Sequence, residues 1–134
     1  MKKFFASLMV VLSLLTVSIG SASAASGYGV STNTSKANYY QATETEIPVY
    51  TKNDNSYEVF VQIVPQHYVN GVWKEDLPVE WGAYLSPEET NEIDIDITGE
   101  YEGISQKGTY RLKNVVWKND VAVGTFYTAN FYVK

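Results

Sequence analysis

Past residue 24, apolar side chains recur at every second position, and no stretch repeats them at a helical interval. That rhythm commits the chain to extended backbone with one face in and one face out. Tyr57, Val59, Val61 and Ile63 alternate with Glu58, Phe60 and Gln62, and Ile93, Ile95 and Ile97 with Glu92, Asp94 and Asp96. Tyr28, Val30 and Thr32 suggest a short first strand, Ile47, Val49 and Thr51 a second, and Val79 to Leu85 a weaker one. Tyr110 to Trp117 and Thr125 to Val133 form a last pair. In the former the pattern changes phase near Asn114, with Tyr110 and Leu112 on one face and Val115 and Trp117 on the other.

The punctuation between these runs is turn chemistry. Asn70-Gly71 between Tyr68-Val69 and Val72-Trp73 predicts a hairpin, because both residues tolerate positive φ. Asn53-Asp54-Asn55 and Lys118-Asn119-Asp120 read as turns, with Gly124 as a bulge. Pro48 lacks a donor and places its strand at an edge or at a strand start. Pro65-Gln66-His67-Tyr68 reads as a polar turn, and Ser35 to Thr45 as a long connection. About seven short strands at this spacing fit an antiparallel β-sandwich, and a small closed barrel nearly as well.

Residues 1–24 have the layout of a cleaved secretory signal peptide: Lys2 and Lys3, an apolar run from Phe4 to Ile19, and Ala22-Ser23-Ala24 as the cut site. A run below ~18 residues spans a bilayer poorly, so a membrane anchor is the weaker reading. Residues 25–134 then form one domain, secreted and released, with no cysteine for lipid attachment. The absence of cysteine also removes disulfides, so stability must come from packing by three Trp, eleven Tyr and five Phe. The whole chain carries ten Lys plus Arg against fifteen Asp plus Glu; without Lys2 and Lys3 the remainder is at −7. Such a surface repels nucleic acid and anionic lipid.

Gln106-Lys107-Gly108-Thr109-Tyr110-Arg111-Leu112 opens the penultimate strand with Gly-x-Tyr. It resembles the tyrosine corner of immunoglobulin-like domains, in which the phenol bonds backbone upstream while its ring fills the core. A proline-containing acidic bend (Leu85 to Thr90), an alternating strand (Asn91 to Ile97), this motif, a hairpin and a terminal Phe-Tyr-Val-Lys follow in order. The order is similar to bacterial immunoglobulin-like domains, including those typified by the intracellular proteinase inhibitor of bacilli, and covers Leu85 to Lys134. The resemblance implies an immunoglobulin-like sandwich, gives Gly108 and Tyr110 the structural corner, and raises proteinase inhibition as an alternative role. Export departs from the intracellular setting of that inhibitor.

Catalysis finds little footing in these residues. His67 is the only histidine, and Ser26, Ser31, Ser35, Ser56, Ser86 and Ser105 lie in no nucleophile-elbow context. One imidazole and no thiolate do not make a zinc site. Glu92, Asp94 and Asp96 project from one side of a strand, about 7 Å apart in succession, which suits a solvated face better than a calcium loop. A carboxylate hydrolase would require two of Glu80, Glu88, Asp94 or Glu102 to converge. The reading is therefore non-enzymatic, with no catalytic residue, cofactor or metal.

Binding is the better prospect. Phe60 lies opposite the core face of its strand, and Trp117 on the corresponding side of its own, so Phe60, Trp117 and Tyr132 could form an apolar patch on one sheet. Alternatively, a bulge near Asn114 returns Trp117 to the core. Trp73, after the Asn-Gly turn, is either a hairpin packing residue or an exposed stacking one. The expected role is a monomeric extracellular module contacting a protein or cell-wall polymer. The inhibitor alternative would use Asp76-Leu77-Pro78-Val79, with Leu77 entering the protease and Pro78 stiffening the loop.

Overall fold

The computed structural model describes residues 24–134, so the signal peptide expected over 1–24 lies outside the described residues except for Ala24. The described chain is built from strands and turns. In order they are β1 (Ala24–Gly27), β2 (Val30–Thr34), β3 (Asn38–Tyr39), β4 (Glu46–Asn53), β5 (Val59–Val69) and β6 (Val72–Lys74). β7 (Trp81–Leu85), β8 (Thr90–Asp96), β9 (Gly108–Lys118), β10 (Val121–Tyr127) and β11 (Phe131–Val133) complete the chain. They form two sheets: a four-stranded one in the order β1-β2-β4-β8, and a seven-stranded one in the order β3-β11-β9-β5-β6, with β10 also on β9 and β7 also on β5. No ladder joins the two among the described residues, so the architecture is a sandwich rather than a barrel. All pairings between strands are antiparallel except β3 with β11.

The strands outnumber the sequence expectation because several are short pieces of one edge. β7 covers Val59 to Ile63 of β5, and β6 covers His67 to Val69 on the same side. The gap between them contains Pro65, where no partner on that side calls for its missing N–H. The chain therefore runs straight through Pro65-Gln66-His67 as strand. The expected polar turn is absent, and His67 is buried in β5 rather than exposed. Pro48 likewise sits in an interior strand, paired with Asp94 of β8. Pairing with β2 ends at Val49, so at Pro48 itself β4 has only one neighbour.

Three two-residue hairpin turns carry positive φ at both central residues: Tyr28-Gly29 (55° and 72°), Asn70-Gly71 (50° and 80°) and Asn119-Asp120 (50° and 63°). Their twist matches that of the flanking strands. Tyr28, expected in a strand, is thus a turn residue. A register shift between Ala122 and Gly124 supplies the bulge expected at Gly124.

Two of the connections that cross the sandwich interlock. β4 leads into β5 and β8 into β9, each crossing from the smaller sheet to the larger; β4 then pairs with β8, and β5 with β9. Between the sheets, Ile47, Val49 and Ile95 face Val61, Leu112 and Val116 within one core cluster. The apparent phase change in β9 is not a kink. Tyr110, Leu112, Asn114 and Val116 are all buried, and Asn114 merely looks like a surface residue in the sequence. Its Oδ1 accepts a 2.7 Å hydrogen bond from Thr32 Oγ1 on the opposite sheet, and its Nδ2 donates to Leu112 O.

Tyr110 forms the corner expected of Gly-x-Tyr. Its hydroxyl donates to Gln106 O, and its ring, fully buried, stacks on His67 at 4.5 Å and on Phe131 at 6.0 Å. Gly108 adopts φ 158°, and a Cβ there would lie 2.6 Å from His67 Nε2, so the corner needs glycine at this position. Burial, with Asp76 as a lesser influence, pushes the Tyr110 phenol up to about 12.

Two outcomes test this packing. Thr32→Val strips the partner from buried Asn114 Oδ1 and is expected to cost about 1–3 kcal/mol in urea unfolding, whereas adding Asn114→Leu recovers part of it. Tyr110 stays protonated in the folded state above pH 10, where the unfolded phenol ionises. Its contribution is complete below pH 10 and is lost as pH rises toward about 12. Alkaline melts should show this loss, roughly 2–3 kcal/mol in size, and Tyr110→Phe should flatten that part of the profile.

Candidate binding face

Because β5 and β9 pair without interruption from Phe60 opposite Trp117 to Tyr68 opposite Thr109, alternate residues of both strands share the outer face of the larger sheet. On β5 these are Phe60, Gln62, Val64, Gln66 and Tyr68; on β9, Thr109, Arg111, Lys113, Val115 and Trp117. No bulge turns Trp117 inward: the one irregularity lies in β10. Phe60 and Trp117 are direct cross-strand neighbours, and β7 brings Tyr84 to the other side of Phe60, with ring centroids 4.8 Å apart.

A single glycine lets this cluster form. Gly82 sits diagonal to Phe60 across the β5–β7 pair, and a Cβ there would come within 2.5 Å of Phe60 Cζ. The phenyl ring lies flat over the bare backbone, as aromatic rings do over strand glycines. Beside the rings, Tyr57, Glu58, Glu80, Lys118 and Asp120 enclose a concavity of about 730 Å³. Glu80 accepts a 2.8 Å bond from Gln62 Nε2, and Lys118 Nζ lies 3.7 Å over the Tyr57 ring. The indole N–H of Trp117 is buried with no hydrogen-bond partner.

Asn53 holds the surrounding loops. Its fully buried amide donates to Tyr57 O and Leu85 O, and its Oδ1 accepts from Asn55 N. One side chain of β4 thereby fixes the approach to β5 and the exit from β7, the two elements that carry Tyr57 and Tyr84.

The other aromatic candidates lie elsewhere. Trp73 pairs with Tyr68 at 5.0 Å, eight residues along β5 from Phe60 and about 26 Å away at strand rise. The Arg111 guanidinium is sandwiched between Trp73 at 4.3 Å and Tyr127 at 4.2 Å, and its Nε donates to Gln66 Oε1. Gln66 continues to Glu75, which also pairs with Lys113. The Gln66 amide first, and Lys113 after it, hold the Glu75 carboxyl below its usual range despite some burial. Trp73 is therefore a packing partner within a satisfied network. Tyr132 is exposed on the same face but pairs with Thr109, at the far end of β9 from Trp117. The single patch of Phe60, Trp117 and Tyr132 is thus corrected to two separate clusters, because β11 docks where β9 begins and Trp117 stands where it ends.

Leu77 packs against the core and Pro78 is exposed, so the side chain expected to enter a protease is turned inward. On the smaller sheet, Glu92 and Asp94 face solvent. Desolvation, then the carboxylates of Glu46 and Glu92, raise the Asp94 carboxyl. Glu80 and Asp94 lie on different sheets, and among the described residues no three carboxylates or imidazoles converge on one point. Neither a family model nor a curated protein matches this chain.

Sequence reasoning put Phe60 and Trp117 on the outer face and offered the Lys118-Asn119-Asp120 turn as a contact loop, but it overlooked Tyr84 and assigned Tyr57 to the core face. The signal for Tyr84 was its place immediately before buried Leu85, hence on the opposite face, in a strand with a glycine opposite Gln62. Gly82→Val is expected to displace the Phe60 ring. Near-UV circular dichroism should change, and overpacking should lower stability by about 1–3 kcal/mol.

Proposed function

We propose that the chain is an exported, non-enzymatic binding module of bacterial immunoglobulin-like type, which contacts a cell-wall polymer or surface protein through the Phe60–Tyr84–Trp117 end of its larger sheet. Export rests on the basic, apolar and small-residue pattern of residues 1–24. Kinship with the immunoglobulin-like class is supported by the corner at Tyr110 and by the interlocked β4–β8 and β5–β9 pairs.

One observation carries the binding role. Three rings from three strands lie together on the outer face of a sheet whose inner face already supplies the core, and Tyr84 is 68% exposed. A ring cluster beside a concavity with a few polar groups is the usual form of a ligand or partner site. The opposite end of the same face has its rings and charges engaged with one another, which leaves this end as the available one.

Binding of purified protein to the producing cell's own envelope, measured by sedimentation, tests the proposal. Tyr84→Ala removes a largely exposed ring whose packing is on Phe60, and is expected to weaken binding about tenfold with the fold retained. Trp117→Ala should weaken it at least as much. Equal sedimentation of wild type and both variants would refute a role for this surface.

A further inference from the structure

We propose that the concavity at the β9–β10 end of the larger sheet takes an amino sugar whose amine is free and protonated, carried on a glycan chain. The inference rests on the binding-module reading above and names its ligand class. Its starting point is a cation the protein itself supplies. Lys118 Nζ sits 3.7 Å over the Tyr57 ring, inside the same concavity that Phe60, Tyr84 and Trp117 line. An ammonium on an aromatic face is therefore a contact this surface already makes.

The charge of the lining extends the argument. Lys118 is its only cation, against the carboxylates of Glu58, Glu80 and Asp120. Among the described residues Lys118 makes no salt bridge, and Glu58 and Asp120 accept no hydrogen bond. Glu80 accepts one, from Gln62, and keeps further lone pairs. The site thus holds more negative charge than its own lysine offsets, on a domain already at −7. A primary ammonium can donate to these oxygens, whereas a quaternary one has no N–H to give.

The remaining lining favours a sugar over a basic peptide. Gln62 and Asn119 present amides that both donate and accept, which suits hydroxyls, and Phe60 and Tyr84 offer apolar surface to the body of a ring. A concavity of about 730 Å³ is of the size that holds a small ligand. Lys118 then acts as a resident competitor, occupying the Tyr57 face until the ligand's amine displaces it.

Titrating the purified protein with a short glucosamine oligomer, followed by tryptophan fluorescence at low salt, tests this assignment. A saturable change is expected, at least tenfold weaker with the N-acetylated oligomer of equal length and with trilysine. Asp120→Asn and Glu58→Gln should each weaken binding about three- to tenfold, and Lys118→Met should tighten it about threefold, all at unchanged melting temperature. No saturable binding, equal affinity for the N-acetylated oligomer, or tighter binding of trilysine would each overturn the ligand class. If glucosamine fails while Tyr84→Ala still weakens envelope binding, the ligand class falls and the binding module stands. If the wild type binds neither oligomer nor envelope, both readings fall.

Discussion

The unbroken pairing of β5 with β9 is the constraint on which the rest of the molecule depends. Nine consecutive residues of each strand lie opposite one another, from Phe60 and Trp117 to Tyr68 and Thr109. A slip of β9 by one residue would send Leu112 and Val116 outward and bring Lys113 and Trp117 into the core beneath an unchanged β5. One register therefore creates both the hydrophobic interior and the aromatic outer face. The same strands anchor β7, β6, β10 and β11, so the concavity at one end and the arginine sandwich at the other inherit their spacing from it.

A domain without disulfides needs its two sheets held in one alignment, and buried polar groups contribute to that. Thr32 and Asn114 bond across the sandwich, where hydrophobic contact alone would tolerate sliding. Asn53 ties the β4–β5 and β7–β8 connections together at one end, and the Tyr110 phenol ties the approach to β9 at the other. Each of these groups is satisfied within the chain. They restrain geometry more than they add stability, since a protein–protein hydrogen bond replaces one to water.

The two ends of the outer face differ in a way that composition does not reveal. Around Arg111, cation, rings, amide and carboxylate neutralise one another in a closed set. Around Trp117 the set is open: an unpartnered indole N–H, two carboxylates (Glu58 and Asp120) without donors, and a lysine seated on a ring. Structural packing explains the former completely. The latter has polar capacity left over, which is the condition for recognising something outside the chain.

Alternation made the strands legible, and Asn-Gly made one hairpin legible, because backbone stereochemistry and side-chain parity are local properties. The bulge at Gly124 and the outward place of Phe60 followed from the same local rules, whereas parity left sandwich and barrel open and the corner at Gly108 and Tyr110 came from a resemblance. Other residues misled for a common reason: their role depends on partners far along the chain. Asn114 looked like a surface break because Thr32 is eighty-two residues away. Pro65 and His67 looked like a turn because nothing local shows that β6 and β7 leave a gap beside the one and that Tyr110 stacks on the other. Local order thus determined which segments extend and which way their side chains point. Only tertiary pairing decided which rings meet: residues of like parity share a face, but their distance along it depends on where each strand docks.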